Sequence, residues 1–319
     1  MAGLVCREFD EFADELRGVD GRYLLTARAT HAWKLQVAEL GDTSVMWGQD
    51  GAANLFHASC LPGVHSLFVP LLPGHGVLVN GLQVDDGCAA WLAPGAEFHM
   101  RGRSAQQWLA VMIRTENART LALLGEALPK RTCIARPSAM AIARLVSVAF
   151  RVLRLGNGAQ GSAGASRAEL RDQLLCASLG VMRSVTDSRD EARGRPMLPR
   201  ATIIGRALDL IDARLDQAIL LSDLCEAAGV SERTLNAVFR DQLEMSPHQY
   251  IMVRRLHGVH AAIRSATPED TVSEICGRFG IWDFGRFARA YRSRFGMAPS
   301  RMLARSVPVA AVSAACVDA

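Results

Sequence analysis

A two-domain α+β fold, with a β-sandwich or barrel plus helices followed by an all-α domain, is the class this sequence predicts, and three observations predict it. The 319 residues suffice for two domains that each bury a core. Short apolar runs broken by Gly, Pro, Asn and Asp fill the stretch from about Tyr23 to Ile113. From Ile203 onward the pattern is helical throughout and contains an approximate duplication.

The β-rich part is expected to run to about residue 115. The run HSLFVPLLPGHGVLVNGLQVDDGCAAWLAPGAEFHMRG has the rhythm of antiparallel strands joined by turns. Pro70, Pro73 and Gly74 break one strand, Asn80-Gly81 signals a hairpin, and Asp86-Gly87 precedes CAAWLAP. Residues 137–185 change to a helical period. Met140, Leu145, Val148 and Leu153 mark one helix, and a Gly/Ser/Ala loop follows from Gly156 to Gly164. A second helix starts at the capping box Ser166-x-x-Glu169 and carries Leu170, Leu174, Leu175, Leu179 and Met182. These two helices either form a dimer seam or pack back onto their own sheet. Residues 186–200, charged and with two prolines, read as a linker; 201–303 form the helical domain and 304–319 a flexible tail.

Bulk properties narrow the compartment and the chemistry. A net charge of +4 and a pI near 8.7 permit an anionic partner without demanding one. Lys34 and Lys130 are the two lysines, so the basic residues are nearly all Arg. The cysteines Cys6, Cys60, Cys88, Cys133, Cys176, Cys225, Cys276 and Cys316 lie far apart without zinc-like spacing, and read as small buried hydrophobes in a reducing compartment. The N-terminus lacks a secretory pattern, and no stretch approaches the ~20 apolar residues that span a bilayer. A cytoplasmic protein is expected.

The duplication aligns SDLCEAAGVSERTLNAVFRDQLEMSP with SEICGRFGIWDFGRFARAYRSRFGMAP. Ser222, Cys225 and Gly229 match Ser273, Cys276 and Gly280 at one offset. Leu235, Phe239, Arg240, Leu243, Met245 and Pro247 match Phe287, Tyr291, Arg292, Phe295, Met297 and Pro299 with one residue more, a single insertion in the second turn. Each copy has the parts of a helix-turn-helix: a short helix ending at Gly, a cap at Ser231 or Asp283, and a second helix facing its core through Leu235 and Phe239 or Phe287 and Tyr291. Arg233, Asn236, Ala237 and Arg240 then face outward, as do Phe284, Arg286, Ala288 and Arg289. A helix from Ser246-Pro247 to about Arg264 spans roughly 28 Å at ~1.5 Å per residue. Successive major grooves on one face of B-DNA lie ~34 Å apart, so this connector can hold both second helices in adjacent grooves. Gly258 within it has no rationale in the sequence.

The segment from about Thr202 to Met302 resembles the AraC/XylS DNA-binding domain, with Gly280, Phe287, Tyr291, Phe295-Gly296-Met297 and Pro299 falling where that family's signature lies. The β-rich half resembles, more weakly, the family's cupin-like sensing domain. The resemblance implies base-reading positions at Arg233, Asn236 and Ala237, then at Phe284, Gly285, Ala288 and Arg289. With their neighbours Ser231, Glu232, Arg240, Arg286 and Arg292 these make up the expected DNA interface. Residues 1–185 become an effector-sensing and dimerisation domain. It implies a transcription regulator, an effector-responsive activator of a catabolic operon, with a repressor as the alternative. Double-stranded DNA, RNA polymerase, a small organic effector and a second copy of the chain are the expected partners.

From Arg278 to Arg305 seven arginines stand against one acid, Asp283, whereas Asp209, Asp212, Asp216, Asp223 and Glu226 cluster earlier, so one face of the domain is expected to meet phosphate. His57, His65, His75 and His99 lie in the β region but lack the close H-x-H pair and following Glu of a cupin metal centre, so no metal and no cofactor is expected. His257 and His260 on the connector read as structural. Trp47, Phe68, Trp91, Phe98 and Trp108 are the candidates for touching an effector. No catalytic constellation is found; an enzyme, either a cupin-type oxygenase or a DNA-repair methyl acceptor fused to the same unit, is the rival class, and lacks the metal ligands or clustered cysteines it needs.

Overall fold

The computed structural model describes residues 4–6, 8–74, 76–115, 120, 129, 131–156, 166–183 and 199–306. His75, the loop at 156–164, the linker at 186–200 and the tail at 304–319 fall wholly or largely outside these residues. The chain divides into two compact units, Met1–Thr202 with Ala237–Glu244, and Ile203–Asn236 with Met245–Ala319.

The first unit contains two antiparallel sheets. A seven-stranded sheet has the order β1-β3-β4-β11-β6-β9-β12, with β1 Leu4–Cys6, β3 Trp33–Leu40, β4 Thr43–Gln49, β11 Gln107–Arg114, β6 Val64–Pro70, β9 Ala89–Leu92 and β12 Cys133–Ala135. A five-stranded sheet runs β2-β5-β10-β7-β8, with β2 Val19–Leu25, β5 Asn54–Cys60, β10 Glu97–Gly102, β7 Val77–Val79 and β8 Leu82–Val84. The Asn80-Gly81 hairpin forms between β7 and β8, with both residues at positive φ (50° and 74°), as a tight primed turn requires. A short helix α1, Phe9–Asp14, and the outer strands β1 and β12 lie beyond the segment whose alternation the sequence displays. Each is six residues or fewer and is held by distant partners, β1 by β3 and β12 by β9, so local periodicity carries little trace of them.

Helices α2 (Ala139–Gly156) and α3 (Arg167–Met182) cover the outer face of the seven-stranded sheet. The Ser166 capping box is formed: its hydroxyl accepts from Glu169 N–H at 3.2 Å, and its own N–H donates to the Glu169 carboxylate at 2.6 Å. Leu145, Val148, Leu153, Leu170, Leu174, Leu175 and Met182 share one core with Val45, Leu67, Val111 and Trp91 of the sheet. Of the two arrangements open in the sequence, these side chains adopt packing onto their own sheet. Met140, placed on that apolar face by periodicity, is exposed in the first turn instead. Cys176 is exposed too, contrary to the buried reading of the cysteines, while burial pushes the Cys60 thiol up to about 12.

Two buried histidines set an acid limit on this unit. His99 and His57 face each other across β10 and β5, with ring centroids 4.5 Å apart. Burial, then the His57 charge, lowers the His99 pKa to about 3, and burial alone lowers His65 to about 4. A depressed histidine pKa contributes stability that is present above the unfolded value near 6.5 and lost as pH falls toward the folded value. At pH 5 His99 alone should cost about 2 kcal/mol relative to pH 8. The melting temperature should therefore drop between pH 7 and pH 5, and His99→Gln should flatten the drop; a pH-independent melting temperature would contradict it.

The helical unit comprises α4 (Arg200–Ala213), α5 (Leu221–Ala228), α6 (Glu232–Leu243), α7 (Pro247–Arg264), α8 (Val272–Arg278), α9 (Phe284–Phe295) and α10 (Pro299–Ser306), with α6 falling across the division between the two units. The connector α7 begins at a Ser246 capping box closed by Gln249, with Pro247 in its first turn. Its Leu256, Val259 and Ile263 share a core with Ile275 and Cys276 of α8, Phe287 and Tyr291 of α9 and Met302 of α10. His260 belongs to this packing: Nδ1 is 2.8 Å from the Tyr291 hydroxyl, and its ring stacks on Phe295 at 4.1 Å. Gly258 now has a cause, because a Cβ there would lie 2.5 Å from Cε1 of Phe279. Gly258→Ala should destabilise by about 1–3 kcal/mol of overpacking, outweighing the ~1 kcal/mol of helix propensity it gains. Gly180→Ala in α3, where a Cβ meets open space, should be neutral or stabilising. Equal melting shifts for the two would refute the role given to Phe279. Among the described residues no helix is long and apolar enough to cross a membrane.

Candidate nucleic-acid interface

The two repeats fold their turns with the same hydrogen bonds. In the first, Val230 N–H donates to Cys225 C=O at 3.0 Å and Gly229 N–H to Glu226 C=O at 3.1 Å. In the second, Ile281 N–H donates to Cys276 C=O and Gly280 N–H to Gly277 C=O, each at 3.0 Å. Gly229 and Gly280 stand at φ 67° and 65°, the left-handed region that closes a helix end most cheaply with glycine. The following helices are capped as their sequences imply. Ser231 Oγ accepts from Thr234 N–H at 3.3 Å, and Asp283 Oδ1 accepts from Arg286 N–H at 2.9 Å.

This geometry fixes which side chains each second helix buries. On α6, Leu235, Val238, Phe239 and Leu243 are buried, whereas Ser231, Glu232, Arg233, Ala237 and Arg240 are exposed. Asn236 is half-buried, and its amide donates to Glu232 C=O at 3.0 Å. On α9, Phe287 and Tyr291 are buried, Ala288 is half-buried, and Phe284, Gly285, Arg286, Arg289 and Arg292 are exposed. Among the described residues Arg289 makes one long contact, within its own helix, Nε to Gly285 C=O at 3.4 Å. The acids that might have claimed it are engaged: Asp283 caps α9, and Glu274 accepts from Thr271. Arg278, the first of the seven arginines, pairs with Asp270 and keeps its side chain more than half exposed. Trp282, the inserted residue of the second turn, is 77 % exposed beside the 41 % exposed Phe284. Sequence comparison flagged the insertion but not this aromatic pair.

In the first unit, Phe68, Phe98 and Trp108 line a cavity of about 60 Å³ between the two sheets. Trp47 and Trp91 do not reach it. Alternate residues of a strand point to opposite faces, so Met46 and Leu92 line the cavity while their neighbours Trp47 and Trp91 pack toward α2 and α3.

Residues 224–305 match the family described as "Helix-turn-helix domain". Over 115 residues the chain is 32 % identical to the "Probable thc operon regulatory protein" of Rhodococcus erythropolis, covering 36 % of this chain and 34 % of that protein. It is 33 % identical over 99 residues to "XylDLEGF operon transcriptional activator 2" of Pseudomonas putida, covering 31 % of this chain and 63 % of that one. The match thus spans about a third to under two thirds of these relatives. A solved structure described as a probable AraC family transcriptional regulator from Rhodopseudomonas palustris is 30 % identical, covers 33 % of this chain and 98 % of its own, and has a TM-score of 0.32.

Proposed function

We propose that this chain, whose residues 224–305 match a helix-turn-helix family, is a DNA-binding transcription regulator of the AraC/XylS kind that activates a catabolic operon in response to a small organic effector. One observation carries the DNA reading: two helix-turn-helix copies with matching turns present exposed second helices, and an 18-residue helix joins them. On this reading Arg233, Asn236, Ala237, Phe284, Gly285, Ala288 and Arg289 face base edges in two adjacent major grooves. Ser231, Glu232, Arg240, Arg286 and Arg292 flank them, with the arginines toward phosphate. The exposed Phe284 offers apolar contact to a thymine methyl, which suits a position beside Gly285 where no side chain reaches out.

Activation follows if effector binding in the β-rich unit shifts an equilibrium between conformations or dimer arrangements, so that paired domains settle beside a promoter and engage RNA polymerase. The relatives named as operon activators support activation over repression. In vitro transcription from a bound promoter decides this. Addition of the protein with its effector should raise transcript yield from an operator-bearing template and leave a template without the operator unchanged. A fall in yield on the operator template would make the protein a repressor, and equal yields on both templates would remove the regulator reading.

A further inference from the structure

The cavity between the two sheets holds a buried carboxylate that the regulator reading does not use. Asp50, directly after β4, is 2 % exposed, and Asn54 at the start of β5 and Gln106 just before β11 converge on it. Its Oδ2 accepts from Asn54 Nδ2 at 3.0 Å and Gln106 Nε2 at 2.8 Å, and its Oδ1 accepts from Trp108 Nε1 at 2.9 Å. Burial raises the Asp50 pKa, while these N–H donors and the Tyr23 hydroxyl oppose the rise by favouring the ionised form. Among the described residues no Lys, Arg or His pairs with it.

An ionised carboxylate offers about four acceptor positions; three are filled by N–H donors and the Tyr23 hydroxyl faces the fourth, so every neighbour is a neutral donor and none is a counter-charge. A buried carboxylate without a counter-charge is expensive, so a cation brought to this wall of the otherwise apolar cavity would relieve that cost. The Tyr23 phenol is buried against Asp50, and burial, the Asp50 charge and the hydroxyl's interaction with that carboxylate all raise its pKa. The remaining wall is aromatic and thioether surface, including Phe56, Phe98, Met46 and Met100, with the Tyr23, Phe56 and Phe98 rings in sequence at 5.7 Å centroid spacings. Such faces favour a cation and an alkyl chain, and give an anion nothing.

We propose that this cavity binds a small primary ammonium carrying a short apolar chain, with Asp50 as its counter-ion and Tyr23 as a second hydrogen-bond partner. The assignment rests on the effector-responsive reading and supplies the effector's chemical class. Since one water occupies ~10–15 Å³ of such space, about 60 Å³ accommodates roughly four to six heavy atoms.

Butylamine, 1-butanol and butyrate, matched in chain length and differing in charge, are the probes. Differential scanning fluorimetry of the full chain at equal ionic strength and pH 7.5, with probes at ~10 mM, should show a raised melting temperature for butylamine alone, because a ligand that binds the folded state stabilises it by mass action. Calorimetry should give at least a tenfold weaker butylamine affinity for Asp50→Asn and a several-fold weaker one for Tyr23→Phe, which keeps the question answerable if the Asp50 variant does not fold. Equal shifts from all three probes, no shift from any, or unchanged butylamine affinity in a folded variant of either residue would overturn the proposal. DNA affinity measured with and without butylamine separates the two readings. A probe that binds through Asp50 without altering DNA affinity upholds the ammonium site and removes the sensing role.

Discussion

Arg289→Ala should weaken binding to the cognate operator ten- to a hundredfold while leaving melting temperature and non-specific DNA affinity nearly unchanged. At about 100° per residue, Arg289 lies about 200° around α9 from Tyr291, the ring buried at the heart of the helical core, so its side chain points away from the protein. Among the described residues it has no carboxylate partner to lose, which removes the stability cost that an internal ion pair would carry. Two hydrogen bonds to guanine O6 and N7 give ~1–3 kcal/mol of discrimination, and that loss sets the expected range. Arg292, one residue past Tyr291 and nearer the helix end, should touch phosphate instead. Arg292→Ala should weaken all sequences alike and lower the salt slope by about one. Fluorescence anisotropy with operator and scrambled duplexes, paired with thermal melting, measures both. A folded Arg289→Ala protein with native operator affinity would overturn the proposed reading face.

Asp212→Ala should destabilise the helical unit by about 3 kcal/mol or more, a drop in melting temperature on the order of 10 °C. Asp212 near the end of α4 receives Nε of Arg254, in the middle of the connector, at 2.9 Å, and both side chains are at least 85 % buried. Burial already lowers the Arg254 pKa, so removing the acid would strand a desolvated guanidinium. The double variant Asp212→Leu with Arg254→Met removes both charges and should recover much of the loss. Thermal melts of the single and double variants give the coupling; additive losses would mean that the pair does not hold α4 to the connector. Asp212 is also an acid that composition alone assigned to a charge-polarised surface, and the structure gives it an internal task.

Features set by local chemistry were legible in the sequence. Gly229 and Gly280 close the turns, Ser166, Ser231 and Asp283 cap the helices that follow, and Asn80-Gly81 makes its hairpin, because each depends on residues within a few positions of itself. What stayed hidden depends on distant chain segments. Gly258 is explained by Phe279, 21 residues away, and the Asp50 site needs Gln106 and Trp108, 56 and 58 residues on. Phe68, Phe98 and Trp108 reached the cavity and Trp47 and Trp91 did not, since composition selects aromatics while strand parity decides which face they occupy. A single insertion was visible in the second turn, but that Trp282 stands exposed there follows from how the turn is closed, with Ile281 turned inward ahead of it.

The salt dependence of duplex DNA affinity tests the central claim most directly. Each phosphate neutralised by an arginine releases condensed counterions, so log K should fall linearly against log salt concentration with a slope of ~0.9 per contact. Titration of the full chain against an operator duplex from low to physiological salt should give a slope steeper than about −4, as expected when both helix-turn-helix copies touch the backbone. A flat response, or no binding at low salt, would contradict DNA as the partner of this chain.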